Sequence, residues 1–189
     1  MSKNKLKGCV PMDKEWKESI SQDKWWATGY NLKEEDIKDS PKIKRLLELR
    51  DILLSYGGEE VCLPFGDEDI DKIINRGLLF VINDENEDVG QIVHYDELIG
   101  LPNQCHRNSC YLYKCNEVQV EYEDCVKIMT GYALSNDGMW RQHSWCIAYM
   151  GEDYIEDSII IETTEERVAY YGFIMNEDEC EEFCNSCLF

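Results

Sequence analysis

The sequence predicts an α+β fold in which N-terminal helices pack on an antiparallel β-meander. Apolar residues recur at helical spacing in the first half of the chain. Alternating segments rich in aromatic and β-branched residues fill much of residues 126–175. With 189 residues, of which 43% are hydrophobic, the chain is long enough to bury the core of one domain.

The clearest helix covers residues 41–56. Ser40 is a favourable N-cap, Pro41 suits the first helical position, and Gly57 ends the pattern. The predicted apolar face packs into the core and consists of Ile43, Leu46, Leu47, Leu53 and Leu54.

A second, shorter helix is predicted between an N-cap at Asp67 and a stop at Gly77. Residues 78–82 then form a short apolar run typical of a buried strand. Residues 83–88 are polar, and we expect residues 89–95 to pair back as a second strand.

The second half of the chain begins with a helix over residues 103–115, for which Asn103, just after a proline, is the predicted N-cap. An acidic helix over residues 177–187 ends it. Between these helices the period-2 pattern predicts strands over residues 126–134, 140–150, 159–164 and 168–175.

Residues 1–38 are loosely patterned and contain three tryptophans, Trp16, Trp25 and Trp26. These rings are costly to leave in water, so we expect this segment to be an appendage packed on the body, which spans residues 39–189. Residues 1–50 carry a net charge of +3 and the remaining residues −23, which favours weak attraction between them.

The overall charge and the cysteine content narrow the classes of partner and compartment. The net charge of −20 repels phosphate backbones and anionic lipids, so we expect neither nucleic acid nor a membrane as partner. We expect no secretory signal, because residues 1–8 lack the apolar stretch that one needs, and no apolar run is long enough to span a membrane. Its ten cysteines are too sparse for a disulfide scaffold, so we expect a cytoplasmic protein with mostly reduced thiols and no cofactor.

Cys105 is the cysteine best placed for chemistry. A helix N-terminus and a nearby imidazole both lower a thiol pKa, and Cys105 lies in the first turn of the predicted 103–115 helix. The unpaired N–H groups of that turn can also hold an oxyanion. His106 points about 100° around the helix from its neighbour and is a poor base for it.

His143 and Glu162 complete the candidate site. Alternation in its strand places His143 on the same face as Trp145. Glu162 ends the apolar run Ile159–Ile161, where packing alone does not call for a carboxylate, and it is the candidate to orient the imidazole. The alternatives are a core histidine and a solvated strand end, and Asp157 is a spare acid.

A cysteine at a helix start, followed by a histidine and then an acid on successive strands, resembles the papain-like fold in its broad sense. This superfamily includes papain-type peptidases, NlpC/P60 amidases and transglutaminase-like proteins, and the resemblance covers roughly residues 101–175. It implies a thiol hydrolase or acyl transferase with Cys105 as nucleophile, His143 as base and then acid, and Glu162 as the orienting residue. The resemblance also implies Gln104 or Asn103 as oxyanion donors.

Two tryptophans close to His143 in sequence and the acidic charge of the chain suggest what kind of substrate the site accepts. Trp140 and Trp145 are candidates to wall the cleft against water, although both are equally suited to a core. The acidic body favours a neutral or cationic peptide or amide substrate.

Two other functions are compatible with the sequence. Cys180, Cys184 and Cys187, together with His94 or His106, are candidates for a structural zinc site, although the chain has no paired C-x2-C knuckle. The second is a binding module that keeps the fold without activity and recognises a basic partner.

Overall fold

The computed structural model describes residues 41–62, 69–81, 91–92, 94–97, 100–115, 126–148, 159–165 and 167–188. Within them the fold is α+β, as predicted. The appendage predicted over residues 1–38 lies outside the described residues. The helices are α1 Pro41–Tyr56, α2 Ile70–Arg76, α3 Cys105–Cys115 and α4 Glu177–Leu188. The strands are β1 Glu60–Val61, β2 Leu78–Val81, β3 Gln91–Ile92, β4 His94–Glu97, β5 Val126–Leu134, β6 Met139–Ala148, β7 Ile159–Glu162 and β8 Ala169–Ile174.

The strands form a mixed sheet rather than the predicted antiparallel meander. Its order is β3-β2-β8-β5-β6-β7-β4, with β1 paired separately to β6. β5, β6 and β7 do follow one another through antiparallel pairs, but β8 returns to pair with β5, which is the strand order of a Greek key. The prediction failed here because alternation shows which face of a strand is buried and not which strand lies beside it.

The strand predicted over residues 89–95 is also corrected. In its place the structure has two short strands, β3 and β4. β3 pairs with β2 in parallel, and β4 lies at the far edge of the sheet, where it pairs in parallel with β7. β3 and β4 therefore form the two opposite edges of the sheet and do not pair with each other as a hairpin.

Helix α1 has the predicted limits, but its buried face is rotated slightly. Leu49 is completely buried, whereas Leu47 and Leu54, which were expected in the core, are only half-buried. Helix α2 begins at Ile70, and the predicted cap Asp67 lies outside the described residues. Within the described part of the chain, no helix is both long and apolar enough to cross a membrane.

Each face of the sheet carries its own apolar cluster. The larger cluster joins the sheet to the four helices and includes Cys146 and Ala148 of β6. The smaller one lies on the opposite face and includes Trp145 and Ile147 of the same strand. Because successive side chains of a strand point to opposite faces, β6 contributes to both clusters, and His143 lies on the face of the smaller one.

Candidate active site

The nucleophile candidate begins helix α3. The predicted cap Asn103 is exposed and adopts a left-handed φ of 58°, so it does not cap the helix. Gln104 occupies the cap position instead, since its carbonyl accepts the N–H of Asn108 at 2.8 Å. The first backbone N–H groups of a helix have no acceptor within the helix. Those beside Cys105 are therefore available to a thiolate or an oxyanion.

A gap in strand pairing brings β6 to the same thiol. On one edge β6 pairs with β1 at Met139 and Trp140 and with β7 from Cys146 onward. Among the described residues, no strand pairs with residues 142–145 on that edge. The backbone N–H of Ser144, inside this gap, donates to Cys105, as does the N–H of His106.

The pKa of the Cys105 thiol lies below its ordinary value. Burial acts to raise it, but the hydrogen bond to His143 and the charge of that imidazole act in the opposite direction. The N–H groups of Ser144 and His106 further favour the thiolate. Cys105 is half-buried, whereas His143 is 3% exposed and Glu162 is completely buried, so the thiol is the member of the group nearest to solvent.

His143 lies between the thiol and a carboxylate. Its Nε2 lies 2.9 Å from Oε2 and 3.1 Å from Oε1 of Glu162. An ionised carboxylate only accepts, so Nε2 carries a proton and Nδ1 is the nitrogen left for Cys105. Burial acts to lower the pKa of His143, but its hydrogen bonds with Cys105 and Glu162 outweigh burial and raise that pKa.

Glu162 is held by five hydrogen-bond donors. Besides His143, the N–H of Thr163, the N–H and hydroxyl of Thr164 and the hydroxyl of Tyr170 all bond to its carboxylate at 2.7–2.9 Å. Burial acts to raise the pKa of Glu162, but His143, Tyr170 and the Thr164 amide lower it to about 2. The acid is therefore ionised and fixed in orientation.

The remaining predicted site residues have different surroundings. Gln104 is half-buried, and its Oε1 is buried without a hydrogen-bond partner among the described residues. Trp145 stacks on the His143 ring with centroids 6.0 Å apart, but it is completely buried. Trp140 points to the opposite face of β6, where its Nε1–H donates to the carbonyl of Gly57 at 3.0 Å. The expectation that Trp140 walls the cleft is therefore wrong.

His106 belongs to a separate chain of hydrogen bonds. Its Nδ1 lies 2.6 Å from the hydroxyl of Ser144, which donates to the hydroxyl of Thr130 at 3.1 Å. Burial and the charge of His143 both lower the pKa of His106. Of the two imidazoles near the thiol, the neutral form is thus favoured at His106 and the charged form at His143.

Two of the three cysteines proposed as zinc ligands lie in the core of the protein, and the third, Cys187, is half-buried. Cys180 and Cys184 of α4 are completely buried, and the Cys184 thiol approaches the carbonyl of Cys110 at 4.0 Å. No group of three or more histidine, cysteine or acidic side chains within the described ranges is arranged to hold a metal ion. The spare acid Asp157 and the side chain of His94 lie outside the described residues.

Three contributors to the site were missed by sequence reasoning. The Thr163–Thr164 pair directly after Glu162 is a local signal, because threonine hydroxyls and the following N–H groups often bond to a preceding acceptor. Tyr170 and the Ser144 N–H gave no such signal, since their roles depend on the pairing of distant strands.

No protein-family model, curated protein or solved structure matches this chain. Function must therefore be argued from the geometry of the site. A thiolate, an imidazolium and an ionised carboxylate in sequence can attack a carbonyl, donate a proton and hold the ring in one tautomer.

Proposed function

We propose that this protein is a cysteine-dependent hydrolase or acyl transferase that acts on an amide or peptide bond, with a papain-like core. The observation that carries the proposal is the single chain of contacts from Cys105 through His143 to Glu162. The lowered pKa of the thiol and the raised pKa of the imidazole both favour the thiolate–imidazolium pair.

In the first half of the reaction the Cys105 thiolate attacks the substrate carbonyl carbon. The negative charge moves to the carbonyl oxygen, for which the backbone N–H groups in the first turn of α3 are the candidate donors. His143 then donates its Nδ1 proton to the departing amine, and a thioester on Cys105 remains.

In the second half water or an amine attacks the thioester. His143, now neutral, accepts the proton of the incoming group and is charged again when the thiolate departs. Glu162 stays ionised throughout and keeps Nε2–H in place. The net charge of −20 disfavours anionic substrates, so a neutral or cationic peptide or amide is the expected class.

The test is alkylation of the native protein with iodoacetamide over a range of pH, with each cysteine quantified by mass spectrometry. Cys105 should be labelled at about pH 6, where an ordinary thiol is almost entirely protonated. The His143→Ala variant should lose this labelling and regain it only at alkaline pH. Buried thiols with raised pKa, such as Cys62 at about 11, are internal controls in the same sample.

Acyl transfer is tested separately with p-nitrophenyl acetate. The expected result is a burst of nitrophenol together with an acetyl group on Cys105, followed by slow turnover that an added amine accelerates. An ordinary pH dependence of Cys105 labelling would overturn the proposal. A reactive thiol that never becomes acetylated would favour the alternative of a binding module without activity.

A further inference from the structure

Asn108 lies one turn after the nucleophile on α3 and is 8% exposed. Its amide makes three hydrogen bonds, none of them within the helix. Oδ1 accepts the N–H of Leu101 at 3.1 Å, and Nδ2 donates to the Leu101 carbonyl at 2.8 Å. Nδ2 also donates to the carbonyl of Thr163 at 3.2 Å. One side chain therefore joins α3, the segment that leads into it and the end of β7.

The hydrogen bond from Asn108 to Thr163 reaches a residue that also holds the carboxylate of Glu162. The N–H of Thr163 donates to Glu162 Oε1 at 2.8 Å, while its carbonyl accepts Asn108 Nδ2. The same carbonyl accepts the N–H of Gly100 at 2.9 Å. Only the backbone of Thr163 thus separates the groups on the nucleophile side from the acid that orients His143.

The backbone of Gly100 lies directly against this amide. A Cβ atom built on Gly100 would lie 2.6 Å from Cγ and 2.7 Å from Oδ1 of Asn108. The close approach of the Gly100 backbone to this amide depends on the missing side chain, so an added Cβ would displace the amide. The Asn108 side chain is therefore locked by packing as well as by hydrogen bonds.

We propose that Asn108 is a positioning residue of the Cys105–His143–Glu162 site, because its amide fixes the nucleophile helix to the turn that holds the carboxylate. This inference rests on the proposed function. It adds that the distance between Cys105 and His143 is set by a group that touches neither substrate nor the reacting atoms. A shift of about 1 Å in such a distance is enough to lower a rate about 100-fold.

The experiment measures the rate of Cys105 alkylation by iodoacetamide against pH in wild type, Asn108→Ala and Gly100→Ala. Asn108→Ala removes the amide, and Gly100→Ala displaces it while leaving it present. Both variants should lower the rate at about pH 6 by about tenfold, with the labelling shifted toward alkaline pH as the thiolate loses its partner.

Asn176→Ala is the matched control. Asn176 caps α4 by accepting the N–H of Glu179 at 2.9 Å, so its loss also removes an asparagine amide and weakens a helix. This variant should lower the thermal midpoint and leave the Cys105 profile unchanged. Circular dichroism identifies any variant that fails to fold, and the other variant then carries the test.

Two results would overturn the inference alone. One is an Asn108→Ala or Gly100→Ala profile that overlays wild type, which would remove the positioning role while leaving the proposed function intact. The other is an equal shift in Asn176→Ala, which would make the effect one of stability alone. If wild-type Cys105 itself behaves as an ordinary thiol, the proposed function fails, and the inference fails with it.

Discussion

Two cysteines of the same helix, Cys105 and Cys110, have opposite chemistry. Cys105 begins α3 and faces His143, and its pKa is lowered. Cys110 lies five residues further along, completely buried, where burial and the neighbouring thiols Cys184 and Cys187 raise its pKa. Both are thiols on one rigid element, so the difference comes entirely from their neighbours.

The comparison shows that burial alone does not decide the reactivity of a thiol. Burial acts against the thiolate at both positions. At Cys105 an imidazole and two backbone N–H groups oppose it, whereas the neighbours of Cys110 are thiols that add to it. The end of a helix offers unpaired donors that its middle does not.

The largest expected effect comes from removing each thiol in turn. Cys105→Ser should lower acyl transfer to p-nitrophenyl acetate by about 10,000-fold, because a serine hydroxyl stays protonated where the thiol ionises. Cys110→Ala should keep the rate within about threefold and lower only stability, since it leaves a small cavity. Burst amplitude and thermal midpoint measure the two effects, and comparable rates in both variants would contradict the assignment of the nucleophile.

A smaller effect is expected from Glu162→Gln, which removes the charge that favours the imidazolium of His143 beside Cys105. Without the carboxylate charge the pKa of His143 should fall, so the alkaline limb of the rate profile moves to lower pH. The maximal rate should drop by about 100-fold. A profile with an unchanged alkaline limb would show that the carboxylate does not act on the imidazole.

Tyr170→Phe should lower the rate less than Glu162→Gln does. The Tyr170 hydroxyl donates to Glu162 Oε2 at 2.7 Å and is one of five donors, so its loss should cost about 3-fold to 10-fold in rate. Tyr171→Phe is the matched control, because Tyr171 lies on the same strand and in the cluster on the other face. Equal losses in the two variants would assign the effect to packing.

The smallest effect concerns acid stability. The pKa of Glu162 is about 2 in the folded protein against 4.5 ordinarily, so its ionised form stabilises the fold above about pH 4.5. This contribution is lost as the pH falls toward about 2. The difference in urea midpoint between about pH 7 and about pH 3 should therefore be smaller in Glu162→Gln than in wild type. A difference as large as that of wild type would exclude this linkage.

Local signals in the sequence were enough to predict the four described helices and the longer strands, and to single out the residues of the candidate site. Pro41 and Gly57 marked both ends of α1, and the turn over residues 135–138 separated β5 from β6. Alternation placed His143 and Trp145 on one face of β6, which the stacked rings share. Each of these signals lies within about one helix or one hairpin.

Features that depend on distant pairing were beyond such signals. The position of β8 beside β5 brings Tyr170 to Glu162, and no pattern within β8 encodes it. Trp140 is a different case: it lies an odd number of positions from His143, so alternation itself places it on the opposite face of β6, where its Nε1–H donates to the carbonyl of Gly57. Asn103 was misassigned as a cap because its left-handed backbone moves the start of the helix by two residues.

The gap in the pairing of β6 has a consequence for solubility. An unpaired strand edge is a template on which another chain can add a strand and start aggregation. Residues 142–145 are such an edge within the described structure, but β1 and β7 bound the gap on either side and the start of α3 approaches it. The interruption is too short and too enclosed for a second chain to pair along it. The backbone N–H of Ser144 is thus available to a thiolate without opening this stretch of β6 to another chain.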